Sequence, residues 1–267
     1  MNKISVLDHG FVELIDVMGT DQSILQAARH STNSINSNDK KDRELIRYLM
    51  RHQHTSPFEF AETIWSIKLP IFVARQWFRH RTGSFNEVSA RYTILETEFY
   101  TPTKERIKAK GKFNKQGSEG EIDELLKNAW LDSLNRKFEN DEQLYNMANS
   151  FEISNELTRI SLPVSTYTLM FFKMDLHNLL HFFKLRLDKH AQEEIRQYAI
   201  VMYNIVKEHF PLTCEAFEDY ILNGKTFSKQ ELNIIKNLIN INNLNIELDN
   251  ELDNELEMQE FLNKLKD

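Results

Sequence analysis

The sequence predicts an α+β protein, rich in helix with a few strands far apart in the chain. Three observations predict it. Apolar residues recur at helical spacing over long stretches, as Leu45, Ile46, Leu49 and Met50 do between Asp39 and His52. Short runs rich in β-branched and aromatic residues, such as Val164 to Lys173, interrupt them. Helix-opening signals stand at the junctions, as at Thr20, Ser56, Asp175 and Ser228.

The elements follow in order. Met1 to Met18 reads as irregular or strand-like, and Gly19-Thr20-Asp21 breaks it and caps a helix over Gln22 to His30. Ser31 to Asn38 is a polar loop, and Asp39 to His52 the second helix. Ser56-Pro57-Phe58-Glu59 has the form of a capping box with proline at the first helical position. Ala61 to Leu69 alternates enough to be a strand, and Pro70 opens the helix Ile71 to Arg79. Thr82-Gly83-Ser84 signals a turn. Arg106 to Gly120, rich in Lys, Gly and Gln, reads as a surface excursion. Glu121 to Asn149 is a long amphipathic helix with a break expected near Asn140-Asp141. Glu152 to Ile160 continues as helix until Pro163. After the strand at Val164 to Lys173, Asp175 caps Leu176 to Leu187, and His190 to His209 is a further helix ending before Pro211. Ser228 to Glu231 opens a helix into the tail. The pairs Phe171-Phe172 and Phe182-Phe183 are expected in the core. Residues 1–224 read as a single domain and 225–267 as a helical, acidic tail.

Composition narrows the function. No run approaches the roughly 18 apolar residues of a membrane span. Asp8, His9 and Glu13 fall where a signal peptide needs an apolar block. Cys214 is the single cysteine, which excludes a disulfide framework and a cysteine-rich zinc site. A cytoplasmic protein is expected. The formal charge of −7 is uneven: −6 of it belongs to residues 243–267, where Leu244, Leu248, Leu252 and Leu256 lie four apart on one helical side. That tail reads as solvated or partly docked, with an acidic interaction segment as the alternative. Between Ile71 and Tyr92 the balance reverses: Arg75, Arg79, Arg81 and Arg91 stand against Glu87 alone.

The run from Arg79 to Arg91 concentrates three arginines, His80, two serines, Asn86 and Glu87 beside the apolar Ile71, Phe72, Val73, Trp77 and Phe78. Buried charge needs partners, and one glutamate cannot neutralise this many guanidinium groups. A bound anion is one solution, with Ser84 and Ser89 adding donors. An exposed basic turn with ordinary salt bridges is another. A nucleic-acid patch is a third, which the acidic tail fits poorly. His177 and His181, four apart, have metal-ligand spacing but no third ligand nearby, so no metal is expected. Neither Ser84 nor Ser89 sits in a nucleophile elbow. With seven glycines and no Gly-rich phosphate loop, any dinucleotide is held by arginine, histidine and helix ends.

The pattern Arg79-His80-Arg81-x-x-Ser84-x-Asn86-Glu87-x-Ser89-x-Arg91 resembles the signature of the flavin-dependent thymidylate synthases. Ala27-Ala28-Arg29, His54 to Glu59, Arg75 to Phe78, Leu162-Pro163, Asn178 to Phe182, Leu185-Arg186 and His190 to Ile195 resemble further family segments in order, and the tail after Gly224 lies outside. The resemblance implies a central, mostly antiparallel sheet, a homotetramer with active sites shared between subunits, and reductive methylation of dUMP to dTMP. It implies FAD as hydride carrier, with 5,10-methylenetetrahydrofolate and NADPH as co-substrates. It places dUMP on Gln76, Trp77, Phe78, Arg79, Glu87, Val88, Ser89, Ala90, Arg91, Arg159 and Arg186. It places FAD on Ser56, Arg79, His80, Arg81, Glu87, Asp175, Leu176, His177 and His181, with His54 in the loop near folate or flavin. Asp175 departs from a common asparagine, Ser56 from a threonine and Ala90 from a glycine. No nucleic acid or membrane partner is implied.

Methylating uracil needs a nucleophilic C5. A thiolate attacking C6 is one route, and Cys214, in an apolar stretch after Pro211, reads as an inert packing cysteine. The other route polarises the ring with a fixed cation, and Arg186 is the candidate.

Overall fold

The computed structural model describes residues 3–31, 39–111, 117–238 and 254–266. Two strands come first, β1 (Ile4–Val6) and β2 (Gly10–Met18), paired antiparallel around Leu7, whose φ is +61°. β3 (Glu62–Pro70) pairs with β2 on one side and with β5 (Tyr167–Asp175) on the other, and β4 (Ser84–Glu87) lies outside β5. The order is β1-β2-β3-β5-β4, antiparallel throughout.

The register sets Trp65 opposite Phe172, and Phe172 opposite Phe85. One sheet face, with Val12, Trp65, Ile67, Met170, Phe172 and Met174, is buried under helices. These are α1 (Asp21–His30), α2 (Asp39–Arg51), α3 (Ile71–Trp77), α6 (Leu176–Arg186), α7 (Glu193–His209) and α8 (Pro211–Phe217). The strand period of two turns Leu169 and Phe171 to the opposite face, where both are exposed. Phe171 is therefore not a core residue, whereas Phe172, Phe182 and Phe183 are.

Outside this layer lie α4 (Glu124–Ser150), the short α5 (Asn155–Thr158), α9 (Lys229–Leu238) and α10 (Glu255–Lys266). α4 runs unbroken through Asn140-Asp141. Buried Phe138 and Tyr145, seven residues apart, hold one face, and Lys137 pairs with Asp141 across a turn. The helix expected over Glu152 to Ile160 is reduced to α5 and a 3-10 turn, because Glu152 has φ +57°. α7 starts at Glu193 rather than His190, since the Asp188 carboxylate accepts the His190 amide and shapes a turn. Ser56 to Phe60 is a 3-10 helix whose preceding residue is Thr55, so Ser56 is not its cap. The strand near Val164 begins at Tyr167 and extends to Asp175. The capping residues Thr20, Asp175 and Ser228 stand where expected. Ser31 is described, but the rest of the polar loop up to Asn38 and the tail leucines Leu244, Leu248 and Leu252 lie outside the described residues; Leu256 is exposed.

Gly10 is fixed by close packing. A Cβ there would sit 2.0 Å from the Tyr198 hydroxyl and 2.6 Å from the Val6 carbonyl oxygen. That hydroxyl donates to the Lys68 carbonyl oxygen at 2.8 Å, tying α7 to the sheet. Gly10→Ala is expected to destabilise the protein by about 2–3 kcal/mol, combining overpacking with a lost hydrogen bond. An unchanged denaturation midpoint would refute this account of the contact.

Candidate active site

Arg186 is the last residue of α6, and His80 follows α3. Their helices pack on the same sheet face, so two side chains 106 positions apart meet. Arg186 Nε donates to His80 Nε2 at 2.9 Å, and Nη2 donates to the Gln76 carbonyl oxygen at 3.2 Å. Accepting at Nε2 requires that nitrogen to be unprotonated, which assigns the proton to Nδ1. Burial, then the Arg186 charge, then His181, push the His80 imidazole down to about 4. It is neutral at physiological pH. Burial also disfavours the charged form of Arg186, whose pKa is lowered, and among the described residues no carboxylate compensates it.

Arg186 and Gln76 line a polar cavity of about 640 Å³ with Lys108, Lys189, Gln192 and Arg196. Gln76 donates to Gln192, Gln192 donates to Glu194 at 2.7 Å, and Glu194 accepts from Arg106 at 2.7 Å and from the Tyr100 hydroxyl at 3.0 Å. Glu194 and Tyr100 stand behind the lining, so this run of five polar residues braces the cavity wall made by Gln76, Gln192 and Arg106. The excursion that includes Arg106, Lys108 and Ser118 walls the cavity, a role its composition did not signal. The His190-Ala191-Gln192 run was the only sequence trace of this wall.

The rest of the signature is held by β4 and the turn after it. Glu87 accepts from the Thr168 hydroxyl at 2.8 Å, and the Val88 amide donates to the Leu169 carbonyl oxygen at 2.9 Å. Ser89 Oγ accepts the Arg91 amide at 3.3 Å, and Ala90 is half-buried in that turn. Arg91 Nη2 lies 3.5 Å from a Glu156 carboxylate oxygen, and Arg159 Nε donates to the Glu156 carbonyl oxygen at 3.4 Å. Arg91 and Arg159 thus converge on α5 and do not line the Arg186 cavity. Arg79 and Arg81 are exposed and have no carboxylate partner among the described residues. Of the cluster, Arg91 thus has a surface pair with Glu156, and Arg79 and Arg81 stand in solvent. Trp77 is fully buried and stacked on Phe182, and Leu176 is fully buried with its amide donating to the Ala61 carbonyl oxygen at 2.8 Å, so neither is presented to a ligand within one chain; Phe78 packs edge-on against Phe85.

A second cavity of about 210 Å³ lies at the other end of α6, lined by His54, Thr55, His177, His181, Lys184 and Phe217 among others. Ser56 is exposed beside it in sequence. Asp175 accepts the Asn178 amide at 2.9 Å and the Asn178 side-chain amide at 2.7 Å. Its carboxylate therefore works as a helix cap. Cys214 is buried in α8, and burial pushes its thiol up to about 12, so it stays protonated. Among the described residues no cluster of three or more His, Cys, Asp or Glu is placed to hold a metal, and no helix is long and apolar enough to cross a membrane.

A neutral imidazole orients a guanidinium that has no carboxylate partner among the described residues, at a cavity where Arg106, Lys108, Lys189 and Arg196 outnumber Glu119 and Glu193; the arrangement fits an enzyme acting on an anionic small molecule. The family profile described as "Thymidylate synthase complementing protein" matches residues 13–212. The flavin-dependent thymidylate synthase of Treponema denticola is 48% identical over 238 residues, covering 89% of this chain and 90% of that protein. That of Wolbachia pipientis is 47% identical over 249 residues, covering 92% and 86%. A crystal structure of the UMP/dUMP methylase PolB from Streptomyces cacaoi, bound with 5-Br dUMP, superposes with a TM-score of 0.73 at 34% identity, covering 80% of this chain and 97% of that one. The chain belongs to the flavin-dependent thymidylate synthase family, and its activity is the methylation of dUMP to dTMP.

Proposed function

We propose that Arg186 activates dUMP without a covalent bond to the enzyme, and that Gln76, Arg79, Glu87 to Arg91 and Arg159 bind the nucleotide. The observation that carries this is the pairing of Arg186 with a neutral His80. Two of the guanidinium donors are used to orient it, and the others remain for a ligand. A permanent cation in a partly dry site stabilises negative charge developing on a pyrimidine ring and raises the nucleophilicity of C5. FAD is assigned to donors along α6: Arg79 and Arg81, without carboxylate partners among the described residues and next to His80 at the Arg186 end, for its diphosphate, and His80, His177, His181 and Ser56 for hydrogen bonds, with Asp175 and Leu176 at the start of the helix. When bound, FAD supplies the hydride that completes the methyl group. NADPH and 5,10-methylenetetrahydrofolate are the co-substrates, and His54 borders the folate or flavin.

The site is shared between subunits of a homotetramer. The 210 Å³ cavity is smaller than the usual range for a drug-sized ligand, let alone a dinucleotide. Arg91 and Arg159 lie apart from Arg186 within one chain, so one dUMP reaches both groups only across an interface. Exposed Trp130, Met147, Phe151, Leu157 and Ile160 on α4 to the turn after α5 supply apolar surface for it. Residues 1–224 carry the catalysis, in the cytoplasm, and 225–267 are an appendage.

The test is direct. Purified protein with bound FAD converts dUMP to dTMP when given methylenetetrahydrofolate and NADPH, and loaded protein that forms none overturns the reading. Cys214→Ala is expected to retain turnover within about twofold, since a buried protonated thiol contributes packing alone. Loss of turnover with dUMP and FAD binding intact would instead make the thiol a participant.

A further inference from the structure

The tail helix α10 lies outside the matched family region, yet it docks beside the smaller cavity. Its acids explain how. Arg47 and Arg51 lie one turn apart on α2, with side chains only 13% and 8% exposed. Arg47 reaches Glu215, Asp219 and Glu257. Arg51 has carboxylate partners only from α10 among the described residues: Glu260 at 2.7 Å and Glu257 at 3.5 Å. Tyr220 completes the cluster. Its ring lies under both guanidinium groups, its hydroxyl donates to Glu257, and Arg51 donates to it at 3.1 Å. Glu260 also bonds His52 Nε2 at 3.1 Å, and Leu265 is buried at the far end of the helix.

This cluster grips the point where α2 turns into the His54 loop. Arg51 is the last residue of α2 and His52 its C-cap. The His54 amide donates to the Leu49 carbonyl oxygen at 2.9 Å and the Gln53 amide to the Met50 carbonyl oxygen at 3.2 Å, with Gln53 at φ +56°. This is a Schellman stop with glutamine where glycine is usual, so the turn carries a backbone cost and needs support from its surroundings. Its product is the placement of His54 and Thr55 in the cavity wall.

We propose that α10 is a strap whose Glu257 and Glu260 clamp the end of α2, and thereby set His54 and Thr55 for ligand binding at that cavity. They are positioning residues, and the proposal rests on reading the cavity as part of the flavin site. An uncompensated guanidinium as enclosed as that of Arg51 is costly, so removing the acids favours an α2 terminus that unwinds to reach water.

The test uses full-length protein: wild type, Glu260→Gln, and Glu257→Gln with Glu260→Gln. Hydrogen exchange over residues 50–58 and 255–266 is measured together with the FAD Kd, and with kcat and KM at saturating FAD. In the double variant exchange rises in both segments, the FAD Kd rises about fivefold or more, and kcat at saturating FAD is retained, since a local opening weakens binding through the fraction of competent molecules. Three results overturn the proposal: α10 unprotected in wild type, α10 equally protected in both variants, or α10 released with exchange at 50–58 and FAD affinity unchanged. Failure of wild type to bind FAD would strike the reading of the cavity instead, and the exchange data would still report the clamp.

Discussion

Replacing Arg186 with alanine is expected to slow dUMP-dependent oxidation of reduced flavin by about 10²–10³-fold, the usual effect of losing one fixed donor to developing negative charge. The fold should survive, because Arg186 lies at the end of α6 and, among the described residues, is bonded to His80 and to the Gln76 main chain alone. Its loss leaves one buried acceptor on His80, a cost of about 1–3 kcal/mol, and also relieves an uncompensated half-buried charge. Arg186→Lys is expected to fall close to alanine. A lysine ammonium lacks the planar fork that contacts His80, Gln76 and a ligand together. Rapid-mixing absorbance of the flavin with and without dUMP reads the step. An unchanged rate in the alanine variant removes Arg186 from the mechanism.

The second large effect is on stability in acid. His80 is held near 4, mainly by burial and then by Arg186 and His181, whereas an unfolded histidine titrates near 6.5. The native state therefore prefers the neutral imidazole. Its contribution is fully present above about pH 6.5 and is lost as pH falls from there toward 4. Linkage gives a loss of about 2 kcal/mol at pH 5 relative to pH 7.5. His80→Gln keeps an acceptor for Arg186 and does not titrate, so it should be spared this increment. Urea denaturation of wild type and variant at the two pH values measures it. Equal losses in both would show that His80 is not the neutral, enclosed group described.

Much of this site was legible in the sequence because chemistry there is concentrated in side chains close together in the chain. Arg79, His80 and Arg81 offer a bound anion as one reading without any long-range information, beside an exposed basic turn. The antiparallel sheet came from the family resemblance, while the periodicities gave β3, β5 and the main helices. β4 escaped because Ser84 to Glu87 has one apolar residue, Phe85, and owes its extended form to pairing with β5. α8 escaped because Pro211 was taken as a stop, although proline is equally at home in a helix's first turn. The polar wall built from Gln192, Glu194, Arg106 and Tyr100 spans some 90 residues, and no local pattern encodes a contact of that range. The tail reads as solvated or partly docked, and α10 is docked through Glu257 and Glu260 on Arg47 and Arg51, partners 210 and 209 positions away that no local pattern could name.

α6 joins the two cavities: His177 and His181 border one, and Arg186 the other. Nine residues of helix separate His177 from Arg186, an axial distance of roughly 13 Å. The helix is thus a ruler between the groups that border the two cavities. One inserted residue after His181 would advance Arg186 by only about 1.5 Å, but would swing it about 100° around the axis and away from His80. Substitutions along α6 are local matters, whereas a change in its length would uncouple both ends at once. That leaves little room for insertion or deletion between His181 and Arg186.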